Sequence, residues 1–142
     1  MIEIIGDMWD TEADAQCITT NGYVKTNGEC VMGRGNALQA KLRYPKLPKL
    51  LGDAIKQFGS RVHYFREYEL FSFPVKHNWW EKADIALIKD SYQELIDELN
   101  NLPNIHRVLL PRPGVGLGQL DWDNEVKPLL LPDDGRIIII SL

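Results

Sequence analysis

Two stretches of this 142-residue chain carry glycines at a spacing that lets a backbone close on a ligand: GECVMGRGNALQAK over residues 28–41 and RPGVGLGQLDW over residues 112–122. The second sets Gly114, Gly116 and Gly118 at alternate positions, directly before an acidic, aromatic segment. Glycine takes positive φ at little steric cost, so successive N–H groups in such a loop can turn inward around an anionic oxygen. Where a helix starts immediately afterwards, its free first-turn N–H groups and its dipole add to the attraction. The chemistry on offer is capture of a phosphate by backbone groups, against the plainer reading of two loops that merely reverse the chain. Neither segment is a P-loop, which needs Gly-x-x-x-x-Gly-Lys-Ser/Thr, and GRGNAL has only the first two glycines of the dinucleotide fingerprint. Metal chemistry finds no support: Cys17 and Cys30 lack ligand spacing, and His63, His77 and His106 are scattered.

The elements that must hold these loops read as follows. IEII (2–5) and DAQCITT (14–20) are expected strands, the second ending at the turn signal Asn21-Gly22. NALQAKLRY (36–44) reads as a helix stopped by Pro45, and LPKLLGDAIKQFG (47–59) as a second ended by Gly59. RVHYF and YELFSFPV read as two strands joined by a tight turn at Arg66-Glu67. Across 84–99, Ile85, Ile88, Tyr92, Leu95 and Leu99 recur at three- and four-residue steps, the period of an amphipathic helix. HRVLLP reads as a short strand, WDNEVKPLLL as a short helix capped by Asp121, and RIIIISL as a buried terminal strand. The interleaving predicts a three-layer α/β/α sandwich with a mixed central sheet, one domain over residues 1–142. Ligands of such folds sit beyond the carboxyl ends of the strands, and both glycine segments fall there.

Composition narrows the partners. The formal net charge is −4, with 44% hydrophobic and 25% charged residues and no block of Lys or Arg. That argues against strong binding to a nucleic-acid backbone and requires an anion to be held locally. No apolar run approaches the roughly 18 residues that span a membrane, and MIEIIGDMWD lacks the basic-then-apolar order of a signal peptide. A cytoplasmic monomer with two reduced structural thiols and no cofactor is expected.

The chain resembles the macro domain family, whose members bind ADP-ribose. GDMWDTEADAQCITTNG is similar to the family's opening Gly-Asp motif followed by a strand ending in asparagine. VMGRGNALQAKLRYP resembles its first phosphate-side loop and helix, in the form found in small bacterial, phage and DNA-repair members, and LPRPGVGLGQLDWDNEVKPLL resembles its second loop. The resemblance implies that Asp7 accepts a hydrogen bond from the adenine amino group, and that Asn21 lies at the distal ribose. It places Gly33, Arg34, Gly35 and Asn36 beside that ribose and the diphosphate, and Gly114, Val115, Gly116, Leu117 and Gly118 around the diphosphate. Read from the residues alone, Asp7 and Asn21 also suit turn positions, and Arg34 suits a surface charge.

Catalysis, as implied by the same resemblance, turns on FSFPVKHNWW. This stretch is similar to the Phe-Pro-x-Lys-x-x-Trp segment of macro domains that remove ADP-ribose from nucleic-acid bases or from glutamate, where a lysine acts on the anomeric carbon. Lys76 takes that position, with Asn21 beside the same ribose. A desolvated lysine can attack as a free amine, and a charged one can stabilise the leaving group. The glycine run with a following aspartate that marks another hydrolase branch is missing from VMGRGNA; the aspartate that one relative carries in the second loop is Gly118 here, and the next acid is Asp121. The expected function is hydrolysis of an ADP-ribosyl linkage on nucleic acid, protein or a small metabolite. The alternatives are a non-catalytic ADP-ribose reader and an ADP-ribose 1″-phosphate phosphatase. Trp79 and Trp80 read either as a shield over the ribose or, the preferred reading, as packing of the long helix against the sheet, Tyr23 as a weaker candidate for stacking on the ligand, and Glu94, Asp97 and Glu98 as a solvated helix face.

Overall fold

The computed structural model describes residues 1–142. Its strands are β1 (Ile2–Ile5), β2 (Ala15–Thr20), β3 (His63–Phe65), β4 (Leu70–Pro74), β5 (Val108–Pro111) and β6 (Ile137–Ser141). They form one sheet in the order β1-β6-β5-β2-β4-β3, parallel throughout except for β3 against β4. Three α-helices cover it: α1 (Gly35–Arg43), α2 (Leu47–Phe58) and α3 (Ile85–Asn100).

The pleat sends successive side chains to opposite faces, and the apolar strands supply both. Phe71, Phe73, Val108, Leu110, Ile137 and Ile139 join Ile88, Tyr92, Leu95 and Leu99 of α3 in one core. Leu70, Leu109, Ile138 and Ile140 join Ala37 and Ala40 of α1 and Leu47 and Leu51 of α2 in the other. Runs such as Ile137–Ile140 are unbroken because parallel strands between two helical layers are buried on both sides. The three-layer sandwich with a mixed sheet is therefore the observed architecture.

Two segments depart from the sequence reading. The connection after β3 is a 3-10 turn over Arg66–Tyr68 that ends at Glu69 in the left-handed region, φ 51°. Residues 122–131 form no α-helix. A π turn over Trp122–Val126 runs into a 3-10 turn over Lys127–Leu129, since Pro128 offers no N–H to continue a helical ladder. Asp121 does cap this segment, accepting from the Asn124 N–H at 2.8 Å. On α3, Glu94 is not part of a purely solvated face, because its carboxylate accepts from the Val62 N–H at 3.0 Å.

The start of α3 bears directly on the site. The Asp84 carboxylate accepts from the N–H groups of Ala86 (2.9 Å) and Leu87 (3.3 Å), satisfying donors that a helix start leaves free. One turn further on, the fully buried Ser91 hydroxyl donates to the Pro74 carbonyl at 2.7 Å. That bond fixes α3 to the carboxyl end of β4, two residues before Lys76.

Candidate active site

The carboxyl ends of β2, β4 and β5 open into a cavity of about 920 Å³, near the top of the ~300–1,000 Å³ range of small-molecule sites. Thr19, Thr20 and Asn21 reach it from β2, Val75 and Lys76 from β4, and Pro111 and Arg112 from β5. The first glycine segment contributes Met32 to Ala37, and the second contributes Gly114, Val115, Leu117, Gly118 and Gln119. Both loops thus meet at one sheet edge.

The first loop is built to leave backbone donors free. Arg34 caps α1 in extended conformation without a side-chain hydrogen bond, so the first-turn N–H groups of the helix have no capping acceptor. Asn36, in that first turn, is pinned to β2: its Oδ1 accepts from the Thr19 N–H at 2.9 Å and from the Thr19 hydroxyl at 3.2 Å. The helix start is therefore held over the strand end, where a phosphate would meet it. Asn21 works in two directions at once. Its Nδ2 donates to the Val31 carbonyl at 3.0 Å and its Oδ1 accepts from the Tyr23 N–H at 2.9 Å, which organises the turn. The Cys30 thiol also donates to Oδ1 at 3.7 Å, so of the amide's two donor hydrogens and two acceptor lone pairs one N–H is left for the cavity it lines.

In the second loop, Gly114 and Gly116 both adopt φ 75°. A methyl group at Gly114 would lie 2.7 Å from Ile88 Cδ1, 2.8 Å from Leu120 Cδ1 and 3.0 Å from Ala83 Cβ. At Gly116 it would meet nothing within 4 Å. The first glycine is needed for packing as well as conformation, the second for conformation alone.

Lys76 sits on a strap, residues 75–84, tied to every neighbouring element. The Val75 N–H donates to the Thr20 carbonyl (2.9 Å), the Gly22 N–H to the His77 carbonyl (2.9 Å), the Ala83 N–H to the Gly118 carbonyl (3.0 Å) and the Asp84 N–H to the Val75 carbonyl (2.8 Å). His77 Nε2 lies 3.0 Å from Asp84 Oδ2 and closes the base of the strap; this contact holds the Asp84 carboxyl below its usual range. The Lys76 ammonium pKa is lowered, first by partial burial and then by the neighbouring Arg34 charge. Its Nζ lies 3.5 Å from the Trp79 carbonyl. Lys25, Arg34, Lys76 and Arg112 line the cavity with one carboxylate, Glu81. Lys25 pairs with Glu29 (3.7 Å) and Arg112 with Glu3 (3.5 Å), both acids outside the lining, which leaves Arg34 and Lys76 as the cations without an acidic partner.

Most of the residues singled out in the sequence converge here: Asn21, Gly33, Arg34, Gly35, Asn36, Lys76, Gly114, Val115, Leu117 and Gly118 all line the cavity. Gly116 does not, although its neighbours on both sides do. Asp7 also lies off the wall, exposed, with Oδ1 accepting from the Trp9 N–H at 2.9 Å as the cap of the short turn Met8–Asp10. Against the preferred packing reading, Trp79 and Trp80 are half-exposed rings at the cavity, because the strap carries them outward before α3 begins. Lys25, Arg112 and Glu81 escaped notice, being isolated charges with no motif around them. Cys17 and Cys30 are buried and unpaired, and burial pushes the Cys30 thiol up to about 12.

A mixed sheet sandwiched by helices, with two glycine loops meeting over a cavity at its carboxyl edge, is the plan of a macrodomain, and this chain has that fold. The particular likeness is to DarG. The macrodomain of Mycobacterium tuberculosis DarG matches with a TM-score of 0.77 at 28% identity, covering 99% of both chains. The macrodomain of Thermus aquaticus DarG matches at 0.79 and 22% identity, covering 99% of this chain and 97% of that one. Thermosipho africanus DarTG in complex with ADP-ribose matches at 0.77 and 25% identity, covering 99% of this chain and 42% of the other. By sequence, the DNA ADP-ribosyl glycohydrolases of Mycobacterium bovis and Mycobacterium tuberculosis are each 30% identical over 143 aligned positions, 91% of this chain. The chain spans 38% of the length of these curated relatives. No protein-family model matches it. No helix is long and apolar enough to cross a membrane.

Proposed function

We propose that this chain binds ADP-ribose in the cavity at the sheet edge and hydrolyses an ADP-ribosyl linkage to a DNA base. The observation that carries this reading is the placement of Lys76. Lys76 lines the same cavity as the two glycine loops, on a strap hydrogen-bonded to the end of β2 and to Gly118 of the second loop, and partial burial lowers its ammonium pKa. Backbone N–H groups of the loops would take the diphosphate, and Asn21 would hold the distal ribose beside Lys76. Hydrolysis breaks the bond from the anomeric carbon to the base; the base leaves with the electron pair and gains a proton, and water supplies the hydroxyl.

The lowered pKa favours the free-amine role for Lys76. Burial and Arg34 both disfavour the charged form, so a larger share of the side chain carries a lone pair able to attack the anomeric carbon. Water then releases the sugar from the lysine. Glu81, the one carboxylate on the wall, is the side chain available to accept a proton from that water. Similarity to proteins named DNA ADP-ribosyl glycohydrolase supports a DNA linkage over the protein and metabolite alternatives.

Product analysis with ADP-ribosylated DNA, ADP-ribosylated protein and ADP-ribose 1″-phosphate tests the reading. Release of ADP-ribose from DNA is the expected result, with a loss of roughly a hundredfold or more in rate for Lys76→Ala. ADP-ribose affinity should change less than about tenfold, since the lysine acts chiefly in the transition state. Turnover of none of the three would leave a reader, and turnover of the 1″-phosphate alone a phosphatase.

A further inference from the structure

Binding of ADP-ribose leaves one conspicuous feature of the cavity without a task. Trp79 and Trp80 are 50% and 59% exposed and Tyr23 is 37% exposed. The three form a continuous cluster: the Trp79 and Trp80 centroids lie 5.4 Å apart at 89°, and those of Tyr23 and Trp80 5.6 Å apart at 67°. Aromatic surface of this extent, left in water, marks a contact site. It is also held in place. The strap bonds described above fix both ends of the segment, and the Glu81 carboxylate accepts from the Asn78 N–H at 2.7 Å across the turn that carries the two tryptophans.

Two further observations say what the cluster would take. Lys76, Trp79 and Trp80 line the same cavity, with Lys76 Nζ 3.5 Å from the Trp79 carbonyl, and Tyr23 extends the aromatic surface outward from Trp80 beyond the cavity lining. Arg34 lines that cavity without a carboxylate partner, and Lys25 lines it from an exposed 3.7 Å pair with Glu29 that a phosphate can compete for, so both can meet the phosphates next to a base. Flat apolar faces alternating with cations fit a single-stranded nucleic acid, whose bases stack on aromatics while its backbone follows positive charge. A base inside a duplex has both faces occupied and would first have to be flipped out at a cost in unstacking and unpairing, which favours a single strand.

We propose that Tyr23, Trp79 and Trp80 form a stacking subsite for the nucleobase from which ADP-ribose is released, with Lys25 and Arg34 pairing with the flanking phosphates of a single DNA strand. This rests on the hydrolase reading above. It makes the aromatic cluster a determinant of substrate choice, acting on the leaving group and not on ADP-ribose itself. It also reconciles the −4 net charge with a nucleic-acid substrate, because only the nucleotides next to the linkage are gripped.

Isothermal titration in a Lys76→Ala background, where turnover is suppressed, tests the subsite with three probes: ADP-ribose, an ADP-ribosylated single-stranded oligonucleotide and an ADP-ribosylated peptide. The oligonucleotide should bind roughly five- to a hundredfold more tightly than ADP-ribose, the range expected for stacking of one base. The peptide should show no such advantage. Adding Trp79→Ala and Trp80→Ala together should remove most of the oligonucleotide's advantage over ADP-ribose, and Trp79→Phe with Trp80→Phe should retain part of it. Thermal melting checks that each variant is folded. The subsite is overturned if the oligonucleotide binds no better than ADP-ribose, if the peptide matches the oligonucleotide, or if the advantage survives loss of both tryptophans. Failure of ADP-ribose itself to bind the parent protein would instead remove the hydrolase reading, and the subsite with it.

Discussion

Gly114 and Gly116 offer a matched pair in which conformation is constant and surroundings differ. Both have φ 75°, so alanine at either pays about the same left-handed strain, roughly 1–2 kcal/mol, partly offset by the smaller entropy alanine gains on unfolding. The surroundings then separate them. At position 116 the added methyl meets no atom within 4 Å, and strain is the whole cost. At 114 it lies 2.7 and 2.8 Å from the Ile88 and Leu120 methyl groups and 3.0 Å from Ala83 Cβ. Ile88 is fully buried in the α3 core, and Ala83 has no side chain to swing away, so relief requires movement of the strap or of α3. Overpacking of this kind costs about 1–3 kcal/mol. Gly114→Ala should therefore be less stable than Gly116→Ala by about that amount, because the strain cancels between them. Urea unfolding of the two variants and the parent, with unchanged slopes, measures the difference directly. Equal destabilisation, or a greater loss at 116, would refute the packing argument and with it the contact drawn between the second loop, α3 and the strap.

Ser91→Ala leaves the buried Pro74 carbonyl without its hydroxyl partner, and urea unfolding should show a loss of about 1–3 kcal/mol. Because Pro74 lies two residues before Lys76, kcat should fall as well, with KM less affected. The pH–rate profile reports on Lys76 itself. With its pKa lowered by burial and Arg34, the free-amine fraction and hence kcat should rise with pH and level off below the pH at which an ordinary lysine would. The sign for stability is the same: between the lowered pKa and the usual 10.5 the unfolded chain binds the extra proton, so this residue's contribution to stability increases with pH across that window. A flat rate profile there would assign the lysine a different role.

Much of this arrangement was legible in the chain because the physics is local. Apolar runs such as IIII at 137–140, the Asp84 cap before a four-residue period, and glycines ending or opening helices each specify an element within a few residues. The sheet edge where the loops meet follows from those elements, which is why Asn21, Lys76 and most of the glycine-loop residues were found together. What was not legible depends on distant partners. Trp79-Trp80 has the same composition whether buried under a helix or carried outward on a strap, and the outward course is set by Gly118, Thr20 and Gly22, which lie far along the chain. Lys25 and Arg112 become site residues only when the turn after β2 and the end of β5 are brought side by side. Asp7 shows how one residue type serves two readings: its Oδ1 caps the Met8–Asp10 turn, while the carboxylate as a whole is exposed, as a group that meets adenine would have to be.

The central proposal is that the cavity at the carboxyl edge is an ADP-ribose site. Isothermal titration of ADP-ribose into the parent protein tests this most directly, since it needs neither turnover nor a modified substrate. Saturable binding of one ADP-ribose per chain is predicted, weakened when Gly35→Val fills the space between α1 and Leu117, where the backbone has φ 59° and even a methyl group would lie 3.7 Å from Leu117 Cδ1. Absence of binding at millimolar ADP-ribose, or unchanged affinity in a folded Gly35→Val variant, would contradict it.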